Sequence, residues 1–186
     1  MVVIALVVVL ALAVGVLLWA VGIYNGLVSV RNQVKNAWAQ IDVQLKRRHD
    51  LIPNLVETVK GYAGHERETL ESVISARARA VSAQGVPAQA EAEQGLSGAL
   101  GRLMLVVEQY PDLKANQNFL SLQEELTSTE NRIGFSRQHY NDSVMIFNTR
   151  IQKFPDNIIA GSFSFSEESF FELQDEAARE APKVSF

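Results

Sequence analysis

Apolar residues fill the first part of the chain without interruption and then become periodic. From Met1 to Ile23 no residue is charged. As a helix this run spans roughly 34 Å, enough to cross a hydrocarbon core of about 30 Å. It is also longer than the core of a signal peptide, and no Lys or Arg precedes it. Residues 1–26 are therefore predicted to form a retained transmembrane helix.

Beyond this run, apolar residues recur at steps of three, four or seven, the spacing of one helix face. They are Leu27, Val30, Val34, Ala37, Ile41, Leu45, Ile52, Leu55, Val59 and Tyr62. One long helix with a coiled-coil-like seam is predicted to continue out of the membrane. Pro53 has no backbone N–H, so we expect a kink near Asp50 to Ile52 unless the helix already breaks there.

Three further helices are predicted, over Glu66 to Ala83, about Ala88 to Glu108, and a last one that ends at Pro155. The last helix has the clearest pattern: Phe119, Leu122, Leu126, Ile133, Tyr140, Val144, Phe147, Ile151 and Phe154. No region is rich in strand signals, and short connections favour antiparallel neighbours. The predicted fold is all-α: the membrane helix continues into an elongated antiparallel helical bundle, residues 27–160.

A short Phe-rich segment and a tail, residues 161–186, follow the bundle. Phe163 and Phe165 alternate like an extended segment, and Ser166 is placed to cap a helix whose first turn is acidic. The phenylalanines of this segment are Phe163, Phe165, Phe170 and Phe171. We expect them to close the end of the bundle. The alternative is a docking element for a partner, because helix-in-groove and strand-addition recognition both need apolar anchors.

Three consecutive cations, Lys46, Arg47 and Arg48, lie within the predicted long helix. Arg47 lies about 36 Å along the axis from Ile23, too far for direct lipid contact with a Debye length of roughly 8 Å. Lys46 and Arg47 are expected to form a solvated, salt-bridged face. Arg48 falls on the apolar seam, where a cation needs a carboxylate or carbonyls from another helix. The candidate partners by residue type are Glu125 and Glu130.

Small residues form a stripe along the membrane helix. Ala11, Gly15, Gly22 and Gly26 fall within an arc of about 60° at 100° per residue. Gly22 and Gly26 form a small-xxx-small motif, which allows close helix approach in lipid. The stripe therefore predicts association; the alternative is that it has no such role, because Gly and Ala are common in membrane helices.

Charge and composition restrict the partners and the location. The net charge of −4 and the pI near 5.4 argue against a nucleic-acid partner. Arg31 and Lys35 follow the span and no cation precedes it, which predicts a single-pass protein of the cell (inner) membrane with its N-terminus outside and its bundle in the cytoplasm. The absence of cysteine excludes disulfides and thiolate metal sites.

No catalytic, cofactor or metal site is predicted. The three histidines are far apart, and none has the Glu-x-x-His spacing of di-iron bundles. His65-Glu66 begins like a zinc protease motif, but Thr69 stands where the second histidine is required. The sequence contains no phosphate-binding glycine loop and no Gly-x-Ser-x-Gly elbow. We therefore expect a protein that is not an enzyme.

The sequence resembles the LemA family over nearly its whole length. The resemblance rests on Tyr24-Asn25, Val34 to Trp38, IDVQLKRRHDLIPNLVETVKGYAGHE from Ile41, YPDLKANQNFLSLQEELTSTENRI from Tyr110, Arg137, Tyr140-Asn141, Val144, Asn148 and FSFSEESFF. It implies a membrane helix with a short outward N-terminus and a helical soluble region, with no known enzymatic activity. Within the family that the sequence resembles, one branch is associated with magnetosome membranes and others are linked to membrane proteases and stress.

Two functions are consistent with these features. The first is a non-enzymatic, membrane-anchored helical scaffold that self-associates as a homo-oligomer within the lipid bilayer through the small-residue stripe. The second is a monomeric adaptor or regulator of a membrane enzyme such as a protease, which would dock through the Phe-rich segment. The first is the preferred hypothesis.

Overall fold

The structure is a computed structural model that describes residues 1–172. The described residues form six helices and no strand. In chain order these are α1 (Val2–Lys60), α2 (Arg67–Ser82), α3 (Val86–Val107), α4 (Pro111–Lys114), α5 (Gln117–Gln152) and α6 (Asp156–Ser162). The all-α prediction is confirmed, as is the long helix that begins with the apolar run.

The described residues fall into two compact units. Unit 1 contains Met1–Gln40 and Gln138–Ser169, whereas unit 2 contains Ile41–Arg137 and the residues from Phe170 onward. The division predicted from the sequence, into 1–26, 27–160 and 161–186, follows chain order and stays a prediction. Its last 14 positions, residues 173–186, lie outside the described residues.

In unit 1, α1 and α5 run antiparallel. Near one end the guanidinium of Arg150 lies against Gly26, and further along Trp38 packs edge-on against Tyr140 with ring centroids 5.4 Å apart. Buried side chains follow the periodicity expected for both helices. They are Leu27, Val30, Val34 and Ala37 from α1, and Tyr140, Val144, Phe147 and Ile151 from α5.

Unit 2 is built around an apolar cluster that receives side chains from α1, α2, α3 and α5. Its fully buried members include Ile52, Leu55, Val59, Val73, Leu96, Leu103 and Phe119. Helices α2 and α3 form an antiparallel hairpin: the side chain of Gln89 donates to the Ala80 carbonyl near the turn, and Arg102 donates to Ser72 further along. The hairpin covers the α1 face that carries Ile52 and Leu55.

Three details differ from the sequence-based expectations. Phe154 continues the α5 pattern but is exposed, because α5 ends at Gln152. The described residues after Ser166 are not helical, so the predicted helix there is wrong, and a helix, α6, lies before them instead. Tyr62 falls beyond the end of α1 and is exposed. The predicted long helix does continue through Pro53, and the kink expected near Asp50 to Ile52 stays a prediction.

Candidate functional site

The segment of unit 1 that follows α6, residues 163–169, begins with a turn at Phe163 and Ser164 and continues without helix or strand. Side chains of α5 hold it, and we call it the strap. The side-chain amide of Asn148 donates to the Glu168 carbonyl at 2.9 Å, and its Oδ1 accepts the Glu168 N–H at 2.9 Å. Both backbone polar groups of one strap residue are thereby satisfied, which buried or half-buried backbone requires. Asn148 is itself buried.

Tyr140 holds the strap at a second point. Its hydroxyl donates to the Ser169 carbonyl at 2.8 Å. Burial of the ring, and then the negative charge of Glu168, raise the pKa of Tyr140 to about 12. The hydroxyl therefore stays protonated, and remains a donor, throughout the physiological pH range. Asn148 and Tyr140 together are called the clamp.

Aromatic contacts fix the beginning of the strap against α1. The Phe163 ring lies 4.8 Å from the Tyr24 ring, and the Phe165 ring lies 5.8 Å from it in an edge-on arrangement. Phe165 also approaches Phe147 at 6.4 Å, and the Arg31 guanidinium lies 5.4 Å from its ring centroid. Both geometries are favourable for aromatic and cation–π attraction.

The four phenylalanines singled out in the sequence are not equivalent. Phe163 and Phe165 pack on α1 within unit 1, although Phe163 keeps most of its surface exposed. Phe171 is buried and Phe170 is exposed, and both belong to unit 2. Phe170 lies beside a shallow cavity with Pro87, Ala88, Glu91 and Glu172.

Unit 2 contains a buried polar cluster around Arg48. Its guanidinium contacts Glu93 at 3.4 Å and Glu130 at 3.1 Å, and donates to the Ser97 hydroxyl at 2.7 Å. Arg48 and Glu93 are both almost fully buried, whereas Glu130 is half exposed. A cation on the apolar seam thus has two carboxylate partners, one of which, Glu130, is among the two candidates named from the sequence.

The sequence did not single out Glu93 or His49. Glu93 accepts from Arg48 through Oε2, and its Oε1 lies 2.7 Å from His49 Nε2 and accepts the Gln89 amide at 3.0 Å. Glu93 lies in an Ala/Glu/Gln-rich part of α3, where a carboxylate is unremarkable by composition. The one available signal was the seam position of Arg48, which required a partner but not a particular one.

A side chain of α2 compensates for Pro53. In a regular helix residue 53 would donate to the carbonyl of His49, and proline has no N–H to do so. The Arg77 Nε donates to that carbonyl at 2.7 Å instead. The orphaned backbone acceptor is thus satisfied by a charged donor from the neighbouring helix, and α1 stays helical through the proline.

The other two cations lie on the surface. Lys46 pairs with Asp50 at 3.3 Å, one turn along the same helix, and both side chains are exposed. Arg47 pairs with Glu125 of α5, and both are half exposed. Glu125 therefore contacts Arg47 rather than Arg48. A cavity of about 300 Å³ opens beside Arg48, Ser97, Gln123, Thr127 and Glu130.

The small residues of the membrane helix have two different environments. Ala11, Gly15 and Gly22 are exposed, and a Cβ added at either glycine would meet no atom within 4 Å. A Cβ at Gly26 would collide with the guanidinium of Arg150. Arg150 is also tied to Asp156, with its Nε 2.7 Å from the carboxylate. Gly26 thus permits a close approach within unit 1.

Within residues 1–172 no group of three or more His, Cys, Asp or Glu side chains is arranged to hold a metal ion. One helix, α1, is long and apolar enough to cross a membrane, and its apolar window is entirely exposed. The candidate functional features of the described residues are therefore the strap with its clamp, the Arg48 cluster and this exposed helix.

Comparison with known proteins places the chain in a family. The family model described as LemA family matches residues 37–186. The chain belongs to the LemA family. Curated relatives include "Magnetosome protein MamQ 2" of Paramagnetospirillum magneticum, 27% identical over 87% of this chain and 68% of the relative. "Protein LemA" of Metamycoplasma hominis is 27% identical over 83% of this chain and 71% of its own length.

Several residues that carry the LemA resemblance meet at the strap. Tyr24 and Trp38 of α1, and Tyr140 and Asn148 of α5, contact the strap or one another. These residues are far apart in sequence, and the antiparallel packing of α1 and α5 brings them together. Family membership and the apolar N-terminal helix together fit a membrane-associated protein.

Proposed function

We propose that this LemA family protein is a membrane-anchored, non-enzymatic helical scaffold that self-associates within the bilayer. The observation that carries the proposal is the exposed apolar run at the start of α1, which belongs to the same compact unit as the packed α1–α5 pair. A run that spans roughly 34 Å with no charge is stable only where lipid or protein covers it. The membrane anchor is thus a part of a folded unit.

Self-association is assigned to the small-residue face of the span. Ala11, Gly15 and Gly22 leave the helix surface flat over three turns, and close backbone approach is what drives helix pairing in lipid. Gly26 is left out of this face because it already accommodates Arg150.

The test is the mass of the full-length protein in mild detergent. A Gly15→Leu, Gly22→Leu variant adds bulk to the small-residue face, whereas Ala5→Leu, Ala13→Leu adds similar bulk elsewhere, with Ala13 about 200° around the helix from Ala11. We expect a discrete oligomer that dissociates only in the first variant. A monomer in the unchanged protein, or equal assembly of all three, would contradict the scaffold.

An adaptor or regulator of a membrane enzyme is the alternative. It is supported by the exposure of Phe163 and Phe170, and opposed by the contacts that Phe163 and Phe165 make with Tyr24. Truncation after Gly161 separates the two. Lost thermal stability supports an internal cap, whereas intact stability with loss of a partner that co-purifies with the full-length chain supports docking. Neither proposal involves a nucleic-acid partner.

The proposed location is the cell (inner) membrane, crossed once, with the N-terminus outside and the packed helices in the cytoplasm. The support is the pair of cations, Arg31 and Lys35, that follows the apolar run on the side of the packed helices. Modification of a single introduced cysteine at Val2 by a membrane-impermeant reagent on intact cells tests the orientation. Labelling without lysis is expected; labelling only after lysis would reverse the topology.

A further inference from the structure

Three large apolar side chains of unit 1 are exposed together around α6. Phe154 precedes this helix and is 79% exposed, Ile158 lies within it at 57%, and Phe163 follows it at 59%. A seven-residue helix is about 10 Å long, so the three side chains belong to one short stretch at the same end of unit 1. Single exposed apolar residues are ordinary, but a group suggests a surface covered by something. We call this group the base patch.

The base patch lies beside the end of the apolar run of α1. The ring of Phe163 is 4.8 Å from that of Tyr24, the residue directly after Ile23. Arg150 lies against Gly26, about 4.5 Å along the helix axis past Ile23. Because α5 is antiparallel to α1, the chain beyond Arg150 leads towards the membrane span, and Phe154 comes one turn later.

Burial along α1 independently indicates where the end of unit 1 lies relative to the bilayer. The helix is exposed from Val2 to Trp19, half-buried at Ala20 and buried at Ile23. Protein atoms thus begin to cover α1 before its apolar run ends. The headgroup layer on each side of a bilayer is roughly 5–8 Å thick. If the run fills the hydrocarbon core, the end of unit 1 that carries the base patch falls within this layer.

We propose that the base patch inserts into the lipid interface. The folded part of unit 1 then contacts the bilayer at a second place, beside the membrane-spanning helix. The occupant is lipid because Phe163 of the patch packs against Tyr24, the residue of α1 that directly follows the apolar run. Phenylalanine and isoleucine suit the boundary of headgroups and acyl chains, and the exposed Lys153 next to Phe154 can extend its ammonium group to lipid phosphates. This inference rests on the membrane anchoring proposed above but not on self-association.

The chain contains no cysteine, so single-cysteine variants of the full-length protein report on one position each. Ile158→Cys samples the base patch and Val16→Cys samples the span. Met145→Cys is the matched control: it is an exposed apolar position of unit 1, about 7.5 Å further from the bilayer than Arg150 along α5. Each variant carries a nitroxide in vesicles of phosphatidylcholine and phosphatidylglycerol, and its collisions with oxygen and with a water-soluble nickel chelate are compared.

We expect the label at 158 to be several-fold less accessible to the nickel chelate than the label at 145, and more accessible to oxygen. Equal accessibility at 158 and 145 would overturn the inference while leaving the anchor intact. A 158 label that is protected only at a high protein-to-lipid ratio would also overturn it, since a second copy would then cover the patch. A water-accessible label at Val16 would overturn the inference and the proposed anchoring together.

Discussion

The side-chain amide of Asn148 satisfies both the N–H and the carbonyl of Glu168. An asparagine has one donor and one acceptor face at the spacing of a backbone amide, so α5 provides for one residue what a neighbouring strand would provide. The two hydrogen bonds are both to the backbone of the strap, and they hold Glu168 against α5. This also explains why residues 167–172, the last that the structure describes, are not helical: the Glu168 N–H and carbonyl already have partners on α5.

Removal of the donor half of this contact should loosen the strap. Asn148→Asp keeps an acceptor for the Glu168 N–H but places a negative oxygen against the Glu168 carbonyl. We expect a loss of about 1–3 kcal/mol in unfolding free energy, measured by denaturant unfolding of the full-length protein in detergent. Asn131→Asp, an exposed position of the same helix, is the control and should change stability by about 0.5 kcal/mol or less. Equal effects would show that the clamp does not contribute to stability.

The stabilisation that Tyr140 contributes should be lost at alkaline pH. Its pKa is raised in the folded state, to about 12 from an ordinary value of 10.0, so the folded protein holds this proton more tightly than the unfolded chain. The resulting stabilisation is complete below pH 10 and is lost as the pH rises through about 12. Tyr140→Phe should be less stable at neutral pH by about 0.5–1.5 kcal/mol, because the bond to Ser169 is gone.

The same variant should show a weaker loss of stability across that alkaline range. The measurement is the unfolding free energy of both proteins at several pH values from 9 to about 12, the upper limit being the raised pKa. Since the two proteins differ only at position 140, the difference between the two curves isolates Tyr140. Curves that stay parallel over the whole range would contradict the assigned role.

Helix positions were predictable because the physics that sets them is local. The spacing of Leu27, Val34 and Ile41 follows from 3.6 residues per turn, and all three are buried as expected. Phe154 fits the same spacing yet is exposed, since the pattern does not show that the helix ends two residues earlier. A periodicity indicates a face but not the residue at which packing stops.

The candidate sites depend on pairings between distant segments, which spacing does not encode. The seam position of Arg48 predicted a buried carboxylate partner, and residue type suggested Glu125 or Glu130. The structure uses Glu130 and adds Glu93, 45 residues away. Similarly, the amide of Asn148 offered no sign in the sequence that it would bind the backbone of Glu168. The resemblance to the LemA family marked such residues without revealing their contacts.

Loss of Arg48 should be the most damaging change in the basic triplet. Arg48→Met would leave the buried Glu93 without its permanent cation, and removal of one partner of a buried pair typically costs about 3–5 kcal/mol. Lys46→Met and Arg47→Met remove solvent-exposed pairs, each worth about 1 kcal/mol or less. Unfolding free energies of the three variants in one detergent give the comparison.

A second variant separates lost pairing from lost packing. Arg48→Met, Glu93→Leu removes both buried charges and should recover most of the stability of Arg48→Met alone, since a buried ion pair is often replaceable by apolar side chains. No recovery would mean that the guanidinium acts mainly through Ser97 and Glu130. Equal, small losses for all three single variants would refute the internal-pairing explanation of the triplet.

Pro53 and Arg77 should be energetically coupled through the His49 carbonyl. In the native chain Arg77 is the donor that replaces the N–H missing at position 53, so Arg77→Met leaves a carbonyl unsatisfied and should cost about 1–3 kcal/mol. In a Pro53→Ala background the helix supplies its own donor to that carbonyl, and the same Arg77→Met change should cost less. A double-mutant cycle on unfolding free energy measures the difference, for which we expect at least about 0.5 kcal/mol. Additive effects would mean that Arg77 stabilises α1 through packing alone, and that the helix tolerates Pro53 without help from α2.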